Sequence, residues 1–192
     1  MNNTKNIMIV GVGGQGTLLA SRLLGRVASE AGCDVKVSEV HGMSQRGGSV
    51  VTYVRYGEQV FSPIVEKGSA DVILAFEELE AYRWIEYLKP DGVLIVNTQQ
   101  KDPMPVITGT MEYPAHILET LQKKGIRVVA TDALELAVKA GAAKAVNVVL
   151  VGVFAAHSPF RREQFEAALE AIVPPKFIEA NRKAFAYGYE TV

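Results

Sequence analysis

The hydrophobic positions of the chain fall into short continuous runs that alternate with amphipathic segments. Residues 6–12 are almost entirely apolar and end in glycines, which is typical of a strand buried on both faces of a parallel sheet. Further strands are predicted at residues 34–40, 72–76, 93–97 and 126–131. Since helical patterns lie between most of these runs, the chain is expected to form an α/β fold.

The segments between the strands carry helical spacing. Apolar side chains recur along residues 16–31, where Gly32 ends the pattern. Residues 145–157 are almost wholly apolar, which is typical of a helix in a core or an interface. The other predicted helices cover residues 77–88, 113–124, 132–140 and 161–172 and a last helix that begins at Pro174-Pro175. A turn is predicted at residues 90–92, Pro-Asp-Gly.

One stretch departs from the alternation of strand and helix. Residues 49–56 alternate Val, Thr and Tyr, and Tyr56-Gly57-Glu58 is a plausible hairpin turn into residues 59–62. No internal repeat or linker divides the chain. The predicted fold is therefore one three-layer Rossmann-like domain over residues 1–192, with a mostly parallel sheet and an antiparallel excursion near residues 49–62.

Composition and charge exclude several classes of partner. The 192 residues include 20 Lys plus Arg and 21 Asp plus Glu, so no basic surface for nucleic acid is indicated. The apolar run at residues 7–12 is far too short to span a membrane, and we expect a cytoplasmic protein. The hydrophobic fraction of 48% fits a dense core, or a subunit that buries surface against a partner or forms a homodimer when isolated.

The sequence offers no metal site and no iron–sulfur site of its own. Cys33 is the only cysteine, whereas a cluster needs about four thiolates. His41, His116 and His157 show no metal-ligand spacing. No metal and no cofactor bound by this chain alone are therefore expected.

The first glycine-rich loop, Gly11-Val12-Gly13-Gly14-Gln15-Gly16, lies between a predicted strand and a predicted helix. Glycines at this spacing permit a tight turn, and the N–H groups at the start of the helix favour an anion. Glu39 ends the second strand, where dinucleotide folds keep a ribose-binding acid. The alternatives are dinucleotide binding and a purely structural role in which the glycines let helix and strand pack closely.

The second loop follows the second strand and is the more informative of the two. Arg46 lies between Gln45 and the Gly47-Gly48 pair, with Ser44 and His41 nearby. A guanidinium beside unencumbered backbone suits a carboxylate or a phosphate, although Arg46 could instead make a structural salt bridge. No catalytic residue is predicted, because His41 has no paired base or nucleophile. The predicted binding residues are Gly11, Gly13, Gly14, Gln15, Gly16, Ser44, Gln45, Arg46, Gly47 and Gly48.

For three other polar residues, a structural role is the first interpretation. Asn147 is the lone polar group on an apolar helix, where it satisfies a buried backbone group or faces a ligand. Glu77 and Glu78 follow a predicted strand and are interpreted as helix-start carboxylates rather than as acid–base groups.

Taken together, several stretches resemble one family over nearly the whole chain. They are GVGGQGTLLASRLL, SEVHGMSQRGGSV, ADVILAFEELEA, KPDGVLIVNTQ, AVNVVLVG and IEANRKAFAYGYE. These motifs are similar to those of the gamma-type component of 2-oxoacid:ferredoxin oxidoreductases, and EVHGMSQRGG and Tyr113-Pro114 bring the match closest to the indolepyruvate branch, in which this component is the small (beta) subunit. The pairing of GxGGQG with a SQRGG loop is the specific part.

The resemblance implies a subunit of an enzyme that oxidatively decarboxylates a 2-oxoacid with coenzyme A and reduces ferredoxin. Such a complex uses thiamine diphosphate and iron–sulfur clusters. This chain has no GDG-to-NN thiamine motif, so both groups are expected on a large partner subunit, with ferredoxin reached through the complex. The pyruvate, 2-oxoglutarate and 2-oxoisovalerate branches remain alternatives, as do a free-standing NAD or FAD enzyme and a non-catalytic scaffold.

Overall fold

The computed structural model describes residues 4–41 and 48–191, and these residues form a six-stranded sheet between two layers of helices. The strands are β1 (Lys5–Val12), β2 (Asp34–His41), β3 (Ser49–Gly57), β4 (Ala70–Ala75), β5 (Leu88–Asn97) and β6 (Arg127–Thr131). Their order across the sheet is β2-β3-β1-β4-β5-β6.

All strands but one run in the same direction. β1, β4, β5 and β6 pair in parallel, whereas β3 pairs antiparallel with β1 on one side and with β2 on the other. The predicted α/β class, with a mostly parallel sheet and one antiparallel excursion, is confirmed.

The strand predicted to pair with β3, at residues 59–62, does not form. Residues 58–69 contain no strand, so the hairpin from Tyr56-Gly57-Glu58 into residues 59–62 does not form. Instead β2 and β3 are the hairpin, and residues 42–48 connect them. Such a connection is too short for a parallel crossover, so β3 must turn back along β2. Alternation in the sequence marks a strand but does not identify its neighbours.

The helices cover both faces of the sheet. Those on one face are α1 (Thr17–Glu30), α5 (Ala133–Lys139), α6 (Val146–Ala156), α7 (Arg162–Ile172) and α8 (Ile178–Tyr189), and those on the other are α2 (Glu78–Trp84) and α4 (Ile117–Lys123). The single-turn helix α3 (Met104–Ile107) lies on the exposed connection after β5. The predicted three layers are therefore present. Among the described residues, no helix has the length and apolarity needed to cross a bilayer.

Several predicted boundaries differ from the structure, and among them the helix predicted over residues 77–88 ends at Trp84 and is followed by a single 3-10 turn. Residues 90–92 lie inside β5 rather than in a turn, because β5 begins at Leu88. The register of β5 against β4 shifts at this Pro-Asp-Gly segment. The helix predicted from residue 113 begins only at Ile117, after His116 adopts a left-handed backbone conformation with φ of 57°.

The apolar helix α6 is held against α8 by two glycines. Residues 147–155 of α6 are buried, which confirms the prediction of a core helix. A Cβ on Gly188 would lie 2.0 Å from the Val149 carbonyl oxygen, and one on Gly152 would lie 2.2 Å from the Phe185 carbonyl oxygen. Backbone therefore meets backbone where the two helices cross, and neither position has room for a methyl group.

We expect Gly188→Ala and Gly152→Ala to lower the free energy of unfolding by about 3 kcal/mol each, since both helices must separate to admit the methyl group. Gly25→Ala in α1 is the matched control. Its Cβ would meet Val37 at 3.6 Å, which is an ordinary contact. The higher helix propensity of alanine should therefore raise the free energy of unfolding by up to about 1 kcal/mol. Urea unfolding of the three variants measures these changes in the free energy of unfolding. Equal effects at positions 25 and 188 would contradict the close crossing.

Candidate functional site

The first glycine loop turns around the side chain of its own glutamine. Gln15 Oε1 accepts a hydrogen bond from the Val12 N–H at 2.7 Å, and its Nε2 donates to the Phe76 carbonyl oxygen at 3.1 Å. A Cβ on Gly11 would lie 2.8 Å from Gln15 Oε1, so glycine is required there to admit the carboxamide. Gln15 therefore joins the loop after β1 to the end of β4.

The last glycine of the loop is the N-cap of α1 and is held by α6. Gly16 has φ of 85°, and Asn147 Nδ2 donates to its carbonyl oxygen at 3.3 Å. A Cβ on Gly16 would lie 2.5 Å from that amide nitrogen. Asn147 therefore satisfies a backbone group, which is the first of its two predicted roles.

The structure brings the two glycine loops together. The Gly13 N–H donates to the Gly48 carbonyl oxygen at 2.9 Å, and Val12 is paired with Ser49 where β1 meets β3. Ser44, Gln45, Arg46 and Gly47 lie outside the described residues. Their loop nonetheless leaves β2 at His41 and enters β3 at Ser49, so both of its ends lie at the edge of the sheet where the first loop lies.

Beside the first loop is an open cleft of about 510 Å³. It contains three of the predicted site residues, Gly14, Gln15 and Gly16, together with two lysines, Lys101 and Lys144, that the sequence analysis did not single out. The remaining lining residues are Gln99, Leu134, Ala143 and Val146. Lys101 follows the carboxyl end of β5, and a polar run after a buried strand was the signal available in the sequence.

The cleft is electropositive. Lys101 and Lys144 are exposed, and neither forms an ion pair with another described residue. No side chain among the described residues caps the start of α1, and the first turn of this helix contains no acid. A helix start with open N–H groups and two nearby ammonium groups is suited to a phosphate or a carboxylate.

The acidic residue that a dinucleotide site requires does not lie next to the glycine turn. Glu39 is on β2, and β3 separates β2 from β1, so Glu39 lies two strand spacings, about 10 Å, from the strand that leads into the glycine loop. Its Oε2 accepts a hydrogen bond from Thr52 Oγ1 at 3.0 Å. A Rossmann site instead needs the acid on the strand next to the glycine turn.

The loop after β4 carries buried acids. Glu77 is the N-cap of α2 and Glu78 its first residue, as the prediction of helix-start carboxylates requires. Burial raises the pKa of Glu78, and the neighbouring Glu77 adds to this, although a hydrogen bond from Gln100 opposes it. Glu80 accepts hydrogen bonds from Ser49 and from Arg83, so it fixes the first residue of β3.

The described residues contain no group of three or more His, Cys, Asp or Glu that could hold a metal ion. Cys33, half-buried, is a free cysteine. The groups that the described residues place at the cleft are two ammonium groups and the N–H groups at the start of α1, which suit an anion.

Known proteins share this fold and these motifs. The family model for pyruvate ferredoxin/flavodoxin oxidoreductase matches residues 6–191. The indolepyruvate oxidoreductase subunit IorB of Thermococcus kodakarensis is 45% identical over 190 residues, which cover 95% of this chain and 93% of that protein. The 2-oxoglutarate synthase subunit KorC of Methanothermobacter marburgensis is 31% identical and matches 98% of this chain and 96% of that protein.

A solved relative has the same architecture. Pyruvate oxidoreductase subunit PORC of Thermotoga maritima superposes with a TM-score of 0.75 at 26% identity, covering 97% of this chain and 96% of that one. This chain belongs to the pyruvate ferredoxin/flavodoxin oxidoreductase family. The predicted class, an oxidoreductase subunit of the 2-oxoacid:ferredoxin type, is confirmed.

Gly14→Ala and Gly16→Ala distinguish two reasons for glycine in the first loop, the positive φ and the close contact with Asn147. Both glycines have positive φ, so each substitution is expected to cost about 1–2 kcal/mol of stability. Only the methyl group at position 16 also displaces Asn147, which adds about 1 kcal/mol. In an Asn147→Ala background the two substitutions should cost the same, as measured by urea unfolding. A difference that persists in this background would show that Asn147 does not hold the loop.

Proposed function

We propose that this chain is the small subunit of an indolepyruvate-type, aryl 2-oxoacid:ferredoxin oxidoreductase. The complex converts a 2-oxoacid and coenzyme A to an acyl-coenzyme A and carbon dioxide and reduces ferredoxin. The observation that carries the proposal is a cleft lined by the first glycine loop and two lysines, in a chain that also carries the second family-specific loop. The 45% identity to an indolepyruvate subunit favours this branch over the pyruvate, 2-oxoglutarate and 2-oxoisovalerate branches.

The residues of this chain do not fit the redox cofactors. A single cysteine cannot hold an iron–sulfur cluster, which needs about four thiolates. The GDG-to-NN motif of thiamine diphosphate sites is also absent from the sequence. We therefore assign thiamine diphosphate and the clusters to a large partner subunit. We also propose that the complex is cytoplasmic.

The contribution of this chain is proposed to be binding of the phosphate groups of coenzyme A. Lys101, Lys144 and the open start of α1 border one cleft. Arg46, which lies outside the described residues, is proposed as a further contact from the sequence alone. Coenzyme A carries several phosphates, and ammonium, guanidinium and helix N–H groups are the partners that phosphates take in proteins.

The partner is proposed to cover the same edge of the sheet. Leu18 and Leu134 are exposed near the cleft, and Met104, Ile107 and Met111 are exposed on the connection after β5. Large apolar side chains exposed beside a polar cleft are typical of a protein interface. A homodimer of the isolated chain would use this apolar surface in the absence of the partner.

Arg46→Ala, Lys101→Met and Lys144→Met should each raise the KM for coenzyme A about tenfold in the reconstituted complex, because each removes one charged contact to phosphate. The effect should weaken at high salt. Lys124→Met removes an exposed charge beside Tyr82, away from the cleft, and should leave the KM unchanged. Unchanged coenzyme A kinetics in Arg46→Ala, Lys101→Met and Lys144→Met would contradict the proposed binding role.

The alternative of a free-standing dinucleotide enzyme is tested on the purified chain. Thermal shift measurements with NAD, FAD, coenzyme A and thiamine diphosphate should show no stabilisation by the two dinucleotides. Co-expression with a candidate large subunit should yield a stable complex that contains thiamine diphosphate and iron. Micromolar binding of NAD or FAD by the isolated chain, with no complex formed, would favour the alternative.

A further inference from the structure

The carboxylate of Glu77 is buried, with an exposed fraction of 1%, yet it forms no ion pair with a described residue. Its Oε2 accepts a hydrogen bond from the Glu80 N–H at 2.8 Å. Its Oε1 accepts one from the Lys101 N–H at 3.1 Å and another from the Tyr113 hydroxyl. Three uncharged donors therefore surround this carboxylate, and burial together with Glu77 raises the pKa of Tyr113.

These contacts join three segments that are distant in sequence. Glu77 follows β4, Lys101 lies on the connection after β5, and Tyr113 precedes α4, while the Tyr113 hydroxyl also accepts from the Leu79 N–H at 3.1 Å. The first part of the connection after β5 has other anchors, since the Thr98 N–H donates to the Thr131 carbonyl oxygen and the Glu78 N–H donates to the Gln99 carbonyl oxygen. At Lys101 itself, Glu77 is the only hydrogen-bond partner recorded within the described residues.

A carboxylate is the group that this arrangement requires. Both of its oxygens must accept, and only an ionised carboxyl group is an acceptor on both sides. A glutamine of the same shape would turn its N–H₂ group toward the Tyr113 hydroxyl, which can accept as well as donate, and would therefore lose the contact to the Lys101 N–H while keeping the cap of α2. Burial of a charge is costly unless hydrogen bonds compensate, which implies that the three contacts are needed together.

We propose that Glu77 is a positioning residue that holds the backbone of Lys101, and with it the Lys101 ammonium group, at the anion cleft. Lys101 lines both the 510 Å³ cleft and a water-sized cavity of about 30 Å³ that Glu77 also lines. Tyr113 completes the arrangement by fixing the orientation of the carboxylate. This inference rests on the proposed function, in which Lys101 binds a phosphate of coenzyme A.

The test uses the reconstituted two-subunit complex with Glu77→Gln and with Glu78→Gln as the matched control. Glu78 is the adjacent buried acid, and its recorded contact is to the Gln100 side chain at 3.3 Å rather than to Lys101. Glu77→Gln should raise the KM for coenzyme A about tenfold while kcat at saturation stays within about twofold. Amide hydrogen exchange at Lys101 should accelerate in the same variant. Glu78→Gln should leave both quantities at their wild-type values.

The double variant Glu77→Gln/Lys101→Met shows whether Glu77 acts through Lys101. If it does, the double variant has the KM of Lys101→Met alone, whereas independent roles would multiply the two effects. Tyr113→Phe, which retains the ring, should shift the KM in the same direction by a smaller factor and keeps the inference testable if Glu77→Gln does not fold.

Two results separate this inference from the function on which it rests. Wild-type exchange at Lys101 and a wild-type KM in folded Glu77→Gln would overturn the positioning role. Faster exchange at Lys101 in Glu77→Gln, combined with no effect of Lys101→Met on the KM, would support the positioning contact and overturn the assignment of the cleft to coenzyme A.

Discussion

The insertion of the reversed strand β3 between β2 and β1 is the constraint on which the site depends. A Rossmann-type sheet places the first two strands side by side, so that the glycine turn and an acid at the end of the second strand meet one ligand. Here β3 takes that central place, and its first residue is paired with the last residue of β1. The insertion moves Glu39 away from the glycine turn and brings the end of the second loop to it instead. The same backbone pairing therefore removes the basis for a dinucleotide site and joins the two family motifs.

Neutral side chains make the hydrogen bonds that join the ends of β1, β4 and β5. The Phe76 carbonyl oxygen accepts from Gln15 Nε2 and from Asn97 Nδ2, so one backbone acceptor joins the ends of β1, β4 and β5. Asn97 Oδ1 in turn accepts from the Ala133 N–H at the start of α5. These contacts hold the loops in place without using the lysines or the N–H groups at the start of α1.

The buried acids near the cleft have structural partners among the described residues. A catalytic site needs groups with matched pKa values within hydrogen-bond reach of the reacting atoms. The buried acids of the described residues serve as helix caps and loop anchors. The cleft at the carboxyl edge of the sheet exposes two lysines, and large apolar side chains are exposed near it, which suits a phosphate-bearing ligand and a protein partner respectively. Relatives of this chain are named for indolepyruvate, pyruvate and 2-oxoglutarate, and the solved pyruvate oxidoreductase subunit has the same fold.

The sequence by itself determined the fold class, the family and the two loops. Local patterns such as the apolar run before Gly11 and the glycine spacing of the turn that follows depend on neighbouring residues, and a sequence displays neighbours directly. Only the tertiary structure decided which strands pair with β3, that Gly13 contacts Gly48, and that Lys101 and Lys144 border one cleft. Those contacts join residues far apart in the chain, and strand alternation carries no information about partners. For the same reason Glu77 could be recognised as a helix-start carboxylate from sequence, but its contacts to Lys101 and Tyr113 could not.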